Sequence, residues 1–241
     1  MVIERNTKGI RDFTNTIIEN AESKIAYFNK VGLHYNLVAD QIYKKRREIG
    51  NPFDKSFLPY IIAGLITFDM ERMMGGNKYD LDGSSFASRL STNMVLIKPL
   101  LQHLTHESIL PVDLQKQEDN IKKAYKILSA GGQGSLHEDS NKSFHVGATK
   151  ILHFLNPELF IIIDSNAARA FRAAGQVHFL NSTQPGYTSD LYFQCLKQAK
   201  ADISKYGVNS FQALEPNTPI TRIYDKLTFI TGAGLKKGEI V

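Results

Sequence analysis

Cysteine occurs once, at position 195. A single thiol excludes an intramolecular disulfide, and it excludes a zinc or iron–sulfur site built from several cysteines of one chain. No reactive motif flanks it, so Cys195 reads as apolar filler in a helix. Long apolar runs are lacking too. The longest, Leu58–Phe68, falls far short of the ~20 residues that a membrane helix needs. The opening residues MVIERNTKGIRDF carry no signal-peptide apolar region. The chain is therefore expected to be soluble and cytoplasmic, away from membranes, and the sequon Asn181-Ser182-Thr183 then has no use. Charge of one sign is in only slight excess, with 29 Lys plus Arg against 24 Asp plus Glu, a net +5. That balance suits a polyanionic partner, DNA or RNA, but many ordinary proteins share it.

Several chemical motifs are missing as well. There is no G-x-S-x-G elbow and no H-E-x-x-H helix. Gly131-Gly132-Gln133-Gly134 has neither a preceding strand nor a following Lys-Ser/Thr, so it reads as a linker rather than a phosphate loop. Asp80-x-Asp82-Gly83 lacks the closing Glu of a calcium loop, since position 91 is Ser. His103, His106 and Glu107 share a helix, but a metal would need a further ligand from elsewhere. No metal and no cofactor is expected.

What remains is a chain of 241 residues, 42% hydrophobic, with its apolar positions spread along the whole length. That is enough for one substantial core. Spacings of three and four dominate. They predict helices over about 10–25, 33–47, 55–74, 84–104 (bent at Pro99), 114–128, 143–155, 165–174, 188–206 and 219–231. Only Leu159–Ile163 has the look of a short strand. The fold class is mainly α. The glycine-bearing segment 130–142 divides it into an N-terminal helical lobe, 1–130, and a C-terminal one, 143–241, packed as one unit.

The most informative stretch is FHVGATKILHFLNPELFIIIDSNAARAFR, Phe144–Arg172. Phe144, Ala148, Ile151, Leu152 and Leu155 share one helical face, and His145, Thr149 and His153 form a second stripe. The two histidines lie about 12 Å apart along the helix, so they cannot share a metal by themselves. Pro157 ends the helix. Asp164 follows three isoleucines and opens the next helix, a position where Asp is a strong N-cap. Burial would raise its pKa and the helix N-terminus would lower it. Arg169 and Arg172 share a face of that helix, where they could contact phosphate or pair with Glu158 or Asp164. Lys44-Lys45-Arg46-Arg47 is a basic run that suits a helix C-terminus as well as it suits phosphate. Arg222 and Asp225, three apart, can pair on the last helix.

Gly147, the helix after it, the apolar run and Asp164-x-x-x-x-Arg169 resemble the helix-hairpin-helix DNA glycosylase superfamily over about 30 residues. The resemblance implies a hairpin whose backbone amides, near Gly147, hold a DNA phosphate. It implies Asp164 as the carboxylate that supports loss of a damaged base, and Lys150 as the counterpart of the lysine nucleophile of bifunctional members. His145 stands where the family has its first hairpin glycine, Lys150 lies one position late, and the spacing to Asp164 is a few residues short. A relative that has lost catalysis fits as well as an active enzyme.

Three functions follow as expectations. The first is a nucleic-acid-associated, glycosylase-like protein using Asp164 and Lys150, with Gly147, Arg169 and Arg172 on the nucleic acid. The second is a non-enzymatic helical interaction module, in which Asp164 is only a cap. The third is a small-molecule hydrolase or transferase in which His153 works with Asp164.

Overall fold

The computed structural model describes residues 13–68, 83–130, 136, 144–173 and 188–237. The Gly75–Gly83 loop up to residue 82, nearly all of the 130–142 linker and the 175–186 loop lie outside the described residues. Among the described residues no strand occurs. The α-helices are α1 (Phe13–Ile18), α2 (Ala21–Val31), α3 (Leu33–Ile49), α4 (Leu58–Phe68), α5 (Gly83–Leu101), α6 (Leu114–Ser129), α7 (His145–Leu155), α8 (Ser165–Ala173), α9 (Ser189–Tyr206), α10 (Val208–Leu214) and α11 (Ile220–Lys237). Single 3₁₀ turns at Lys55–Phe57 and Gln102–Leu104 lead into α4 and out of α5.

Three boundaries differ from the periodicity. The expected first helix is broken at Asn20, which adopts a left-handed conformation with φ 57°. Asparagine tolerates that region because its short amide can bond locally. The buried Lys24 then reaches back, donating to the carbonyls of Thr16 (2.6 Å) and Ile17 (3.3 Å) at the end of α1. Pro99 stays within α5, and the chain tightens to 3₁₀ only after Leu101. A short helix, α10, follows Gly207, whose φ of 83° favours glycine.

The first and last parts of the chain interlock. α1, α2 and α10 pack on α11, while α7 packs on α3, α4 and α6. Buried apolar residues from Ile17 to Leu227 form one continuous core. At its centre runs the segment expected as a strand. It is buried and starts in a turn, where the Leu159 and Phe160 N–H groups return to the Asn156 carbonyl; four of the backbone groups that follow are met by side chains. The Ile162 N–H donates to Asp225 Oδ1 (2.9 Å) and the Ile163 N–H to Thr149 Oγ1 (3.1 Å). The Phe160 carbonyl accepts from His153 Nδ1 (2.7 Å), and the Ile161 carbonyl from the Tyr192 hydroxyl (3.4 Å). Buried amides and carbonyls need such partners. The polar stripe of α7 is therefore largely the support of this segment. It delivers Asp164 to a fixed place at the edge of the core.

The basic run at the end of α3 is divided in the same way. Arg46 is buried and donates to three carbonyls, those of Leu155 (2.9 Å), Gly50 (3.0 Å) and Thr105 (2.6 Å). It ties α3 to the end of α7 and to the turn after α5. Lys44 and Arg47 stay exposed, and Lys45 pairs with Glu48.

Candidate functional site

Three elements meet around Asp164. α8 begins there, capped by the carboxylate itself: Oδ1 accepts the N–H groups of Asn166 and Ala167, each at 2.8 Å. α11 crosses α8 so closely that a Cβ on Gly232 would stand 1.9 Å from the Asn166 carbonyl oxygen. α7 supplies Lys150 from below. Between them lies a cavity of about 80 Å³ lined by Phe28, Tyr35, Phe68, Lys150, Ile162, Asp164, Ala167, Arg222, Asp225 and Phe229. On the order of 10–15 Å³ of such space holds one water, so several waters or the edge of a flat ligand fit.

Asp164 is thus both a cap and a cavity wall. The opposing influences on its pKa are resolved by the structure. Burial dominates and raises it, against the Ala167 and Asn166 amides and the charges of Lys150 and Arg222, which lower it. Lys150 is buried, donates to the Phe68 carbonyl (3.2 Å) and stands 5.7 Å from the centre of the Phe68 ring. Of the residues singled out by the family resemblance, Asp164 and Lys150 do face one space.

The other named residues are placed elsewhere. Gly147 is buried in the first turn of α7, where the Phe144 ring comes within 2.0 Å of the place a Cβ would take. That contact accounts for the glycine by packing. Arg169 donates to Asn166 Oδ1 (2.7 Å) and the Gly232 carbonyl (2.9 Å), bolting α8 to α11. Arg172 lies exposed further along α8. His153 is fully buried outside the cavity lining. Its Nδ1–H goes to the Phe160 carbonyl, so Nε2 accepts from the Tyr43 hydroxyl at 2.5 Å. Burial holds it neutral, with a pKa lowered to about 3. Both ring nitrogens are engaged, and neither addresses Asp164. His145 pairs with the Tyr125 hydroxyl (3.2 Å). His103 bonds Gln117, and among the described residues no cluster of three metal-ligating side chains occurs.

No protein-family model, curated protein or solved structure matches this chain. The site must be read from its own atoms.

Two of its residues were not foreseen as a site. Arg222 and Asp225 do not pair within ion-pair distance. Both are buried, 4% and 5% exposed, and both line the cavity. The Arg222 guanidinium stacks between the rings of Phe28 and Phe68, at 5.2 and 5.4 Å, and makes a long contact of 3.5 Å to Asn36 Oδ1. Its Nε has no hydrogen-bond partner among the described residues. Asp225 accepts from the Ile162 amide at Oδ1, but its buried Oδ2 likewise has no hydrogen-bond partner among the described residues. The nearest donor nitrogen recorded there, His153 Nδ1 at 3.7 Å, spends its proton on Phe160. Burial raises the Asp225 pKa well above the ordinary range, and the charge of Asp164 adds to this, against lowering by Arg222 and the Ile162 amide.

The sequence hid this because α11 looks amphipathic. Thr221, Arg222, Asp225, Lys226 and Thr228 suggest a solvated side, yet all five are buried. Lys226 finds both carboxylate oxygens of Glu215 at 2.6 Å and Asn29 at 3.0 Å. Of the five, Arg222 and Asp225 line the cavity, and each keeps one enclosed polar atom without a partner among the described residues.

Proposed function

We propose that this chain is a nucleic-acid-associated helical protein of glycosylase-like build, in which the Asp164 cavity receives the edge of a base drawn out of its stack. The observation that carries this reading is the convergence of Asp164 and Lys150 on one cavity walled by Phe28, Tyr35, Phe68 and Phe229. Aromatic walls and polar groups converging on one cavity suit a base drawn out of its stack, which is held by stacking and by hydrogen bonds to its edge. An interaction module that used Asp164 only as a cap would have no need of buried charges around it. Burying such groups without partners is costly.

In this reading water adds to C1′ of the sugar as its bond to the base breaks, the base leaves with a proton, and the charge of Asp164, beside the sugar, stabilises the positive charge that develops there. Lys150 supports the charge of Asp164. The same geometry serves a protein that binds a base without cleaving it. The test is binding of single- and double-stranded DNA and RNA oligonucleotides at low and rising salt. Affinity that falls steeply with salt is expected. Asp164→Asn separates the two versions: it keeps the cap and the binding, and it removes base release where release occurs.

A further inference from the structure

We infer that Asp225 works in this cavity as a neutral acid, its Oδ2 hydroxyl and the Arg222 Nε–H forming a donor pair for two acceptor atoms of the occupant. The inference rests on the base-pocket reading above and deepens it by naming the edge of the base that is recognised.

The two carboxylates differ in what surrounds them. Asp164 Oδ1 takes two backbone N–H groups at 2.8 Å, at a helix start and with the Lys150 ammonium nearby. Such donors stabilise a negative charge. Asp225 has one backbone N–H on Oδ1 and nothing on Oδ2. It is faced by Arg222 on its own helix, by Asp164 across the cavity, and by His153, Tyr43 and Tyr192 from α7, α3 and α9. His153 is neutral, and its one N–H is directed to Phe160. Burial pushes the Tyr43 and Tyr192 hydroxyls up, so they stay uncharged as well. Arg222 and Asp164 are therefore the charges that face Asp225, of opposite sign. Two carboxylates in one buried space do not both ionise readily. The proton belongs on the one with fewer donors.

A protonated Oδ2 is a donor, and so is the unpartnered Arg222 Nε. Lys150, which donates to the Phe68 carbonyl, lines the same cavity and adds a positive charge. The edge that these groups match presents acceptors only. On the edge that a base turns to the major groove, guanine does so with O6 beside N7. Adenine and cytosine place an amino group there, which would set N–H against N–H. The Phe28 and Phe68 rings, with centres 5.2 and 5.4 Å from the Arg222 guanidinium carbon, restrict where it can move.

Two readouts on the full chain test this. The first is carboxyl ¹³C NMR of aspartate-labelled protein at pH 7. One carboxyl is expected in the protonated position, absent in Asp225→Asn and kept in Asp164→Asn. Finding every aspartate ionised overturns the inference. The second is binding at low salt of single-stranded oligothymidines bearing one central guanine or one central adenine. Wild type is expected to favour guanine by roughly tenfold or more, the range of a good two-point contact. Asp225→Asn keeps a donor and keeps the preference, while Asp225→Ala loses it. NMR dispersion shows whether each variant is folded. Equal binding of both oligonucleotides, or a preference that survives Asp225→Ala, overturns the inference and leaves the base-pocket reading standing. Failure of wild type to bind either oligonucleotide overturns both.

Discussion

Replacing His153 changes how stability depends on pH, and the size of the change follows from its burial. His153 is fully buried and its pKa is lowered from 6.5 to about 3, chiefly by loss of solvation. A folded pKa below the unfolded one means that the unfolded chain binds the extra proton as pH falls. The stability from a neutral His153 is fully present above pH 6.5 and is lost as pH drops toward 3. Each unit of pH in that window removes about 1.4 kcal/mol. At pH 4.5 the loss is nearly 3 kcal/mol, a large share of a typical stability of ~5–15 kcal/mol. Asp164 and Asp225 work in the opposite sense, since their pKa values are raised. Their contribution is present below the unfolded carboxylate pKa and is lost as pH rises through the folded one. The difference between wild type and His153→Asn isolates the histidine. Urea unfolding at steps from pH 7.5 to 4.5 measures it. The variant starts less stable, because Tyr43 loses its acceptor, but its stability curve is expected to be flatter on the acid side by about 1.4 kcal/mol per pH unit. Parallel curves for the two proteins would refute the neutral, buried histidine.

Other substitutions probe the frame around the cavity. Arg46→Met leaves three carbonyls without their charged donor, and a loss of about 3 kcal/mol or more is expected in urea unfolding. Lys44→Ala and Arg47→Ala, two residues before and one after, are expected to stay within ~0.5 kcal/mol of wild type. Gly232→Ala forces α8 and α11 apart at their closest point, for a loss on the order of 3 kcal/mol seen as a lower thermal midpoint. Asp164→Asn keeps a good N-cap, so its unfolding midpoint should move by less than ~1 kcal/mol in free energy. A large drop there would show that the carboxylate's charge, not its capping geometry, holds α8.

Much of the frame was legible in the sequence because helical periodicity reports burial on one face. α6, α8 and α9 fall within a residue or two of where the apolar spacing puts them. The break at Asn20 was not legible, since the apolar stripe of α1 and α2 runs through it and only the backbone turns. The Leu159–Ile163 stretch has the composition of a strand, but its first two amides return to the Asn156 carbonyl and four further backbone groups are met by Thr149, His153, Tyr192 and Asp225, side chains from three different helices. Pairing of that kind has no local signature. The same holds for the site. Asp164 stood out because it follows an apolar run and starts a helix. Asp225 and Arg222 did not, because a polar helix side that faces a cavity reads the same in sequence as one that faces water.

The central claim is that the Asp164 cavity is where a nucleic acid meets this protein. The most direct measurement is fluorescence anisotropy with labelled DNA and RNA oligonucleotides across a salt series, for wild type and Arg222→Met. Binding by wild type that weakens steeply with salt, and is reduced by Arg222→Met in a protein that remains folded, is the predicted result. No binding of any of these oligonucleotides at low salt, or binding that ignores the loss of Arg222, contradicts it.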